Sequence, residues 1–400
     1  MDLNEAKQNE IVLLNELLLN AQHSYYVLSA PIMADAIYDL KERDLRAMIA
    51  DAPQFAELAT ALIKVGSDLT EVSGRVKHQH AMLSLENQYT FEEVVSWCEQ
   101  FPPDTMFVLE PKIDGNALSC HYNKRKLVRA VTRGTGTEGE DVTKAMVASG
   151  AIEVELSEEF YPETPIEVRG EVFISKSQFD KLNEGQEKKY ASPRNLASGS
   201  MKLQDLEAVK ARGLRFYPWQ VDGVPADYLK KKGLSADIAH HQTQYFALTT
   251  TKNYALDFSV FTDPELLTKA LDTYLRAYRE TTMHVGRGIL TDGYVIKVAN
   301  TKLRGEAGEG SKFPNWSCAY KYQSLQGVTS IIGISWQVGR TGKLTPVGDV
   351  EPVNLGGAII TKVNLNNWSW MQETGVTHLP CKVEIVRSGD VIPKVVRVVA

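Results

Sequence analysis

Lys112 stands between two carboxylates, Glu110 and Asp114, with Gly115 directly after. A lysine in such a place could serve as a nucleophile, but free lysine has a pKa of about 10.4 and is nearly all ammonium at neutral pH. Attack requires desolvation or nearby cations. The two acids push the other way, so positive charge must come from a metal ion on a phosphate, or from arginines and lysines that folding brings in. Met106–Leu109 is apolar and Ala117–Tyr122 alternates, which predicts that 110–115 is the break between two strands, facing a cleft. Alone, the pattern fits a surface ion pair at a turn equally well.

Four more clusters could supply what Lys112 lacks. The run 129–143 holds Arg133, Gly134, Gly136, Gly139, Glu140 and Asp141, which suits either a plain hairpin or a glycine-rich turn approaching a phosphate or ribose. Arg169, Gly170 and Glu171 end a strand on a lone acid, and Arg194, Asn195 and Lys202 lie in a small-residue loop over 192–202. Asp292 and Lys297 are five apart around a strand, and Lys321 sits between Tyr320 and Tyr322. Each cluster taken singly fits a structural role.

The elements that must position these groups can be read from periodicity. Residues 3–22 place Leu3, Ala6, Ile11, Leu14, Leu17, Leu18 and Ala21 at helical spacing, and 35–49 reads as a second helix. Together they make a small helical unit over 1–65, whose Tyr25, Tyr26, Asp35, Tyr38 and Asp39 are a dense set for packing alone. A larger body follows, with strands expected at 107–109, 117–122, 127–132, 166–172, 214–221 and 293–298 and helices at 90–99 and 263–278. That irregular order suggests an antiparallel α+β body over 66–314. From 315 to 400 short alternating strands suggest a five-stranded oligonucleotide-binding (OB-fold) barrel. The segment 222–253 is uninformative.

Composition sets the outer bounds. Four hundred residues with 43% hydrophobic and 24% charged suit two or three globular domains. No run approaches a membrane span and the N-terminus is polar, which points to an intracellular, cytoplasmic protein. Cys98, Cys120, Cys318 and Cys381 are widely spaced, so reduced, buried thiols are expected rather than a zinc site. A net charge of −6 gives no global pull toward nucleic acid, so any such binding needs local basic patches.

Taken together and in this order, the clusters resemble the NAD-dependent DNA ligases of bacteria and some viruses. The resemblance implies an α+β multidomain chain: a helical domain for nicotinamide mononucleotide (NMN), a nucleotidyltransferase (adenylation) domain and an OB-fold domain. It makes Lys112 the nucleophile, with Asp114, Glu171, Asp292, Lys297 and Lys321 as further catalytic residues. Ser84, Leu85, Glu110, Arg133, Glu171, Arg194, Lys202, Lys297 and Lys321 would bind the nucleotide, and Tyr25, Tyr26, Asp35, Tyr38 and Asp39 its NMN half. Asp35 and Asp39 lie one helical turn apart, so both can face one ligand. Arg340, Thr341 and Lys343 would grip DNA, with a salt-dependent affinity. The implied cofactors are NAD and Mg²⁺, with metal ligands unassigned, and the implied partner is nicked duplex DNA met by a monomer.

The chain departs from the family pattern at three places. Lys202 stands where an arginine is usual, which keeps charge but loses the bidentate fork. His284, with Arg287 nearby, stands where an arginine precedes Asp292. The zinc, helix-hairpin-helix and BRCT modules are missing, as in a naturally compact ligase or a shortened piece. The rival expectations are an ATP-dependent ligase or capping enzyme using the same lysine motif, or a nicked-DNA clamp without chemistry.

Overall fold

A computed structural model describes residues 3–26, 32–33, 35–62, 74–156, 158, 163–186, 190, 192–225, 228, 259–281, 288–322, 325–338, 344–355, 358–365, 368–376, 378–387 and 393–399. The N-terminal unit pairs helix α1 (Leu3–Tyr26) with helix α2 (Asp35–Asp51), followed by two short 3₁₀ turns. Ile11 and Leu18 meet Leu45, Ala59 and Ala61 in a dry core. Asn15 closes it by accepting from the Ala61 backbone N–H at 2.8 Å, which keeps a buried amide paired.

The central body carries strands β1 (Arg75–Lys77), β2 (Glu86–Gln88), β3 (Phe107–Ile113), β4 (Asn116–Asn123), β5 (Lys126–Thr132), β6 (Glu138–Glu140), β7 (Ile166–Phe173), β8 (Arg215–Asp222), β9 (Ser259–Phe261), β10 (Thr291–Val298) and β11 (Ser317–Lys321). They form a five-stranded sheet in the order β2-β11-β10-β3-β9, a four-stranded sheet β5-β4-β7-β8 and the pair β1-β6. Helix α3 (Phe91–Cys98) and the helix Pro264–Thr281 cover the first sheet, with Val94, Trp97, Leu267 and Leu271 packed on Leu109, Ile296 and Cys318. Helices α4 (Thr143–Ser149), α5 (Lys176–Asn183), α6 (Pro193–Met201) and α7 (Leu206–Ala211) belong to the second half, where Met146, Ala197, Met201 and Val209 meet Leu118, Cys120 and Val168. Ile113, Phe173, Tyr217 and Ile289 join the two halves. Burying each such large side chain stabilises the fold by about 1.5–3 kcal/mol.

The C-terminal strands β12 (Leu325–Val338), β13 (Leu344–Leu355), β14 (Ala358–Asn364), β15 (Cys381–Arg387) and β16 (Lys394–Val398) close into a barrel in the order β12-β13-β14-β16-β15. Ile331, Val363, Leu365, Val383 and Ile385 fill it. The five-stranded barrel and the α+β body match the expected architecture, except that β2 joins β11 in parallel rather than antiparallel. All four cysteines are buried and unpaired, as expected of reduced thiols.

Three expectations need correction. The lysine motif is not a break between strands: β3 runs through Glu110, Pro111 and Lys112, and only Asp114 and Gly115 turn. Ala299 N–H donates to Met106 C=O, so alternation turns the backbone groups of Glu110 and Lys112 toward β10 and those of Pro111 toward β9. Among the described residues pairing with β9 runs from Phe107 to Leu109, and there the proline interrupts no ladder hydrogen bond. Residues 192–202 are not a loop either: Ser192 caps α6 by accepting from Asn195 N–H, with Pro193 in the first turn. Finally, Ser317–Lys321 pairs with β10 in the larger sheet, so the barrel begins at Leu325, not 315.

Candidate functional site

The two sheets and α2 enclose a cavity of about 530 Å³, into which most of the singled-out residues converge. Adjacent strands set the spacing. Lys112 stands opposite Gly293 and Glu110 opposite Val295, while Lys321 stands opposite Gly293 on its other side. A Cβ at Gly293 would lie 2.1 Å from Tyr320 O, so only glycine lets β10 and β11 approach this closely. From the facing sheet, β7 contributes Glu171 and β8 contributes Tyr217 and Trp219.

Four cations of the cavity are each matched by an acid at hydrogen-bonding distance. Lys112 Nζ donates to both oxygens of Asp292 at 2.8 Å. Lys297 Nζ donates to Glu110 Oε2 at 2.6 Å and to the Trp219 carbonyl at 2.8 Å, and it lies 5.4 Å from the Trp219 ring centroid. Lys321 Nζ donates to Asp39 Oδ2 at 2.5 Å, a bond from β11 to α2. Arg194 Nη1 donates to Asp114 Oδ1 at 3.1 Å, and Arg133 lines the same cavity.

Burial and charge compete at these groups. Burial alone would raise the Asp292 carboxyl, but Lys112, Lys321 and Arg194 outweigh it and hold the group below its ordinary range. Burial lowers the Lys297 ammonium even though Glu110 pulls it back up. Glu171 is pushed up to about 7, chiefly by burial, with Arg194, Lys112 and Arg133 resisting. Its Oε2 atom is inaccessible and has no hydrogen-bond partner among the described residues, and the same holds for Trp219 Nε1. Such orphaned polar atoms in a cavity wall are met by a ligand or by water.

The structure brings Lys112, Glu110, Arg133, Glu171, Arg194, Asp292, Lys297, Lys321, Ser84, Leu85, Tyr38 and Asp39 to one cavity. Asp114 lies at its edge through Arg194. Lys202 does not line it: Arg194 is in the first turn of α6 and Lys202 is its C-cap, two turns away, where it pairs with buried Glu140 at 3.4 Å. Tyr25, Tyr26 and Asp35 lie at the facing ends of α1 and α2, with side chains outside the described residues. Arg340, Thr341, Lys343, His284 and Arg287 also lie outside them.

Sequence reasoning missed several contributors. Trp219 acts through its carbonyl, which no side-chain pattern reveals. Arg169 and Glu167 form a buried pair at 2.8 Å, and Arg169 also donates to the carbonyls of His80 and Ala81, bracing the segment that leads to Ser84. Ser119 adds a 2.6 Å bond to Glu167, whose carboxyl is held down to about 2 because Arg169 and Ser119 overcome the upward push of burial. Glu42 and Lys312 meet at 2.8 Å across the cavity rim, although they are 270 residues apart.

Comparison with known proteins agrees with this geometry. Residues 71–325 match the NAD-dependent DNA ligase adenylation domain, 328–400 the NAD-dependent DNA ligase OB-fold domain and 4–61 the N-terminal NAD⁺-binding domain of DNA ligase-like proteins. A DNA ligase of Hyphomonas neptunium is 37% identical across 98% of the chain. DNA ligases of Helicobacter acinonychis and Helicobacter pylori are 34% and 35% identical across 96% and 94% of it. The chain spans about half the length of these relatives, 55% to 56%. With its adenylation match alone covering more than half of the residues, the chain belongs to the NAD-dependent DNA ligase family.

Proposed function

We propose that the chain seals 3′-hydroxyl/5′-phosphate nicks in duplex DNA with NAD as adenylate donor. The observation that carries this reading is the convergence of Lys112, Arg133, Arg194, Lys297 and Lys321 on one cavity that α2 closes with Asp39. Four cations around a lysine nucleophile suit transfer of a phosphoryl centre, where charge grows on oxygen in the transition state.

Lys112 Nζ leaves Asp292, gives up a proton to solvent water and attacks the α-phosphorus of NAD. The bond from that phosphorus to the NMN phosphate breaks, NMN leaves, and a phosphoramidate to AMP remains. The 5′-phosphate of the nick then takes the AMP and returns the amine. The 3′-hydroxyl displaces AMP and completes the phosphodiester. Arg194, Lys297 and Lys321 stabilise the developing charge, while Arg133 holds the phosphate or ribose side. Glu171 and Glu110 hold ribose and adenine beside Ser84 and Leu85.

Tyr25, Tyr26, Asp35, Tyr38 and Asp39 take the NMN half, and Arg340, Thr341 and Lys343 take the DNA backbone. The work divides among the three expected units, with the boundary between the body and the barrel moved from 315 to Leu325. No three His, Cys, Asp or Glu residues cluster as a metal cage among the described residues. Mg²⁺ still fits, because it is ordinarily held by one or two carboxylates plus substrate phosphate oxygens, and Glu171 has a carboxylate oxygen to spare. When bound there it would supply positive charge beside the phosphate. No described helix is long and apolar enough to cross a membrane; our reading is of a monomer that meets DNA inside the cell.

Transfer of label from adenylate-labelled NAD to the protein, read on a denaturing gel, tests the proposal. Wild type takes label from NAD and none from labelled ATP, and Lys112→Ala takes none. Label persisting in Lys112→Ala would overturn the assignment.

A further inference from the structure

Helix α2 reaches the central body through two ion pairs, and only one of them involves a residue proposed to act on phosphate. Asp39 takes Lys321; three residues later on the same face, Glu42 takes Lys312 at 2.8 Å. The second pair is well shielded, with the Glu42 and Lys312 side chains 13% and 10% exposed. Lys312 lies in the turn 309–314, which Gly310 N–H closes on the Phe313 carbonyl at 2.8 Å.

Lys312 ties together three segments, at Ser84, Glu42 and Ala61. Its carbonyl accepts from Ser84 N–H at 2.9 Å, which ties it to the segment that lines the proposed adenosine side. Its ammonium reaches Glu42 and, at 3.5 Å, the carbonyl of Ala61. That carbonyl also accepts from Gln22, whose other bond runs 2.7 Å to the hydroxyl of Tyr38. Arg46 supports the same seat: it donates to Glu42 at 3.1 Å and its guanidinium lies 5.8 Å from the Phe313 ring centroid.

We propose that Glu42 and Lys312 are a positioning pair that seats α2, with Tyr38 and Asp39, over the nucleotide cavity for the NAD-consuming step alone. The inference rests on the NAD reading above. Neither residue needs to touch the reacting phosphorus; each acts by fixing where Tyr38 and Asp39 stand. Once AMP is on the DNA, no group of α2 is required, so the pair becomes dispensable.

Glu42→Lys, Lys312→Glu and the double exchange test this in the full chain. NAD-dependent self-labelling is measured against NAD concentration, beside sealing of a nick that already carries AMP. Each single variant raises the KM for NAD about tenfold or more and leaves pre-adenylated sealing within about twofold. The double exchange restores most of the loss, and Lys312→Arg stays near wild type. Pre-adenylated sealing also reports folding, so a variant that loses both activities together overturns the inference, as does an exchange no better than the sum of the singles. A wild type that takes no label from NAD would instead overturn the nucleotide reading and the pair's role with it.

Discussion

Glu171 is a cavity acid whose charge burial disfavours. Its carboxyl lies at about 7, above the ordinary 4.5, because burial disfavours the ionised form more than Arg194, Lys112 and Arg133 favour it. Below 4.5 the group is protonated in folded and unfolded chains alike, and no penalty exists. As pH rises through 4.5 only the unfolded chain ionises, and the penalty grows until it is complete above about 7. Glu171→Gln removes that charge and is expected to stabilise the chain at pH 8 by about 1–2 kcal/mol. This is less than the full shift implies, since the residue as a whole is half-buried. Urea denaturation at both pH values checks it, and at pH 4 the gain should vanish. A ligand whose polar group meets Oε2 would supply compensation for that buried charge.

Strand β7 and the segment before Ser84 are coupled by the Glu167–Arg169 pair. The folded Glu167 carboxyl lies at about 2, below the ordinary 4.5, so its stabilisation is complete above 4.5 and is lost as pH falls through 2. Glu167→Gln leaves Arg169 buried without its counter-charge and is expected to cost about 3–5 kcal/mol at pH 7. The gap from wild type should narrow between pH 4.5 and 2, as denaturant midpoints would show. The elements themselves differ in how readable they are. Helices α1 and α2 show in the sequence because they are long and one-faced, and Thr90 announces α3 with a capping box that the structure forms with Glu93. Helix α6 escaped notice because its alanines, serines and glycine look like loop material, although Ser192 followed by Pro193 carried the start signal. Pro111 and Gly115 made a turn of what is strand through Ile113, since whether a proline interrupts a ladder depends on the neighbour strand and not on the segment.

Across the whole chain, the cavity is built from parts that are local in space and remote in sequence. The lysine, acid and arginine clusters were legible because their residue types are unusual for their settings. The partners that hold them were not: Lys112 finds Asp292 across 180 positions, Lys321 finds Asp39 across 282, and Glu42 with Lys312 carried no pattern at all. The proposed division between an NMN-facing helical unit and a phosphate-facing body sets an expectation for its variants. Tyr38→Ala should lose labelling from NAD by a hundredfold or more yet seal a pre-adenylated nick at close to the wild-type rate, a split read by running both assays on one preparation. Equal loss of both would make the helical unit purely structural. The most direct test of the whole account is the intact mass of the protein after incubation with NAD and Mg²⁺, followed by peptide mapping. The account requires a single added AMP on Lys112, released when nicked DNA is supplied. No added mass, or an adenylate on any other residue, would contradict it.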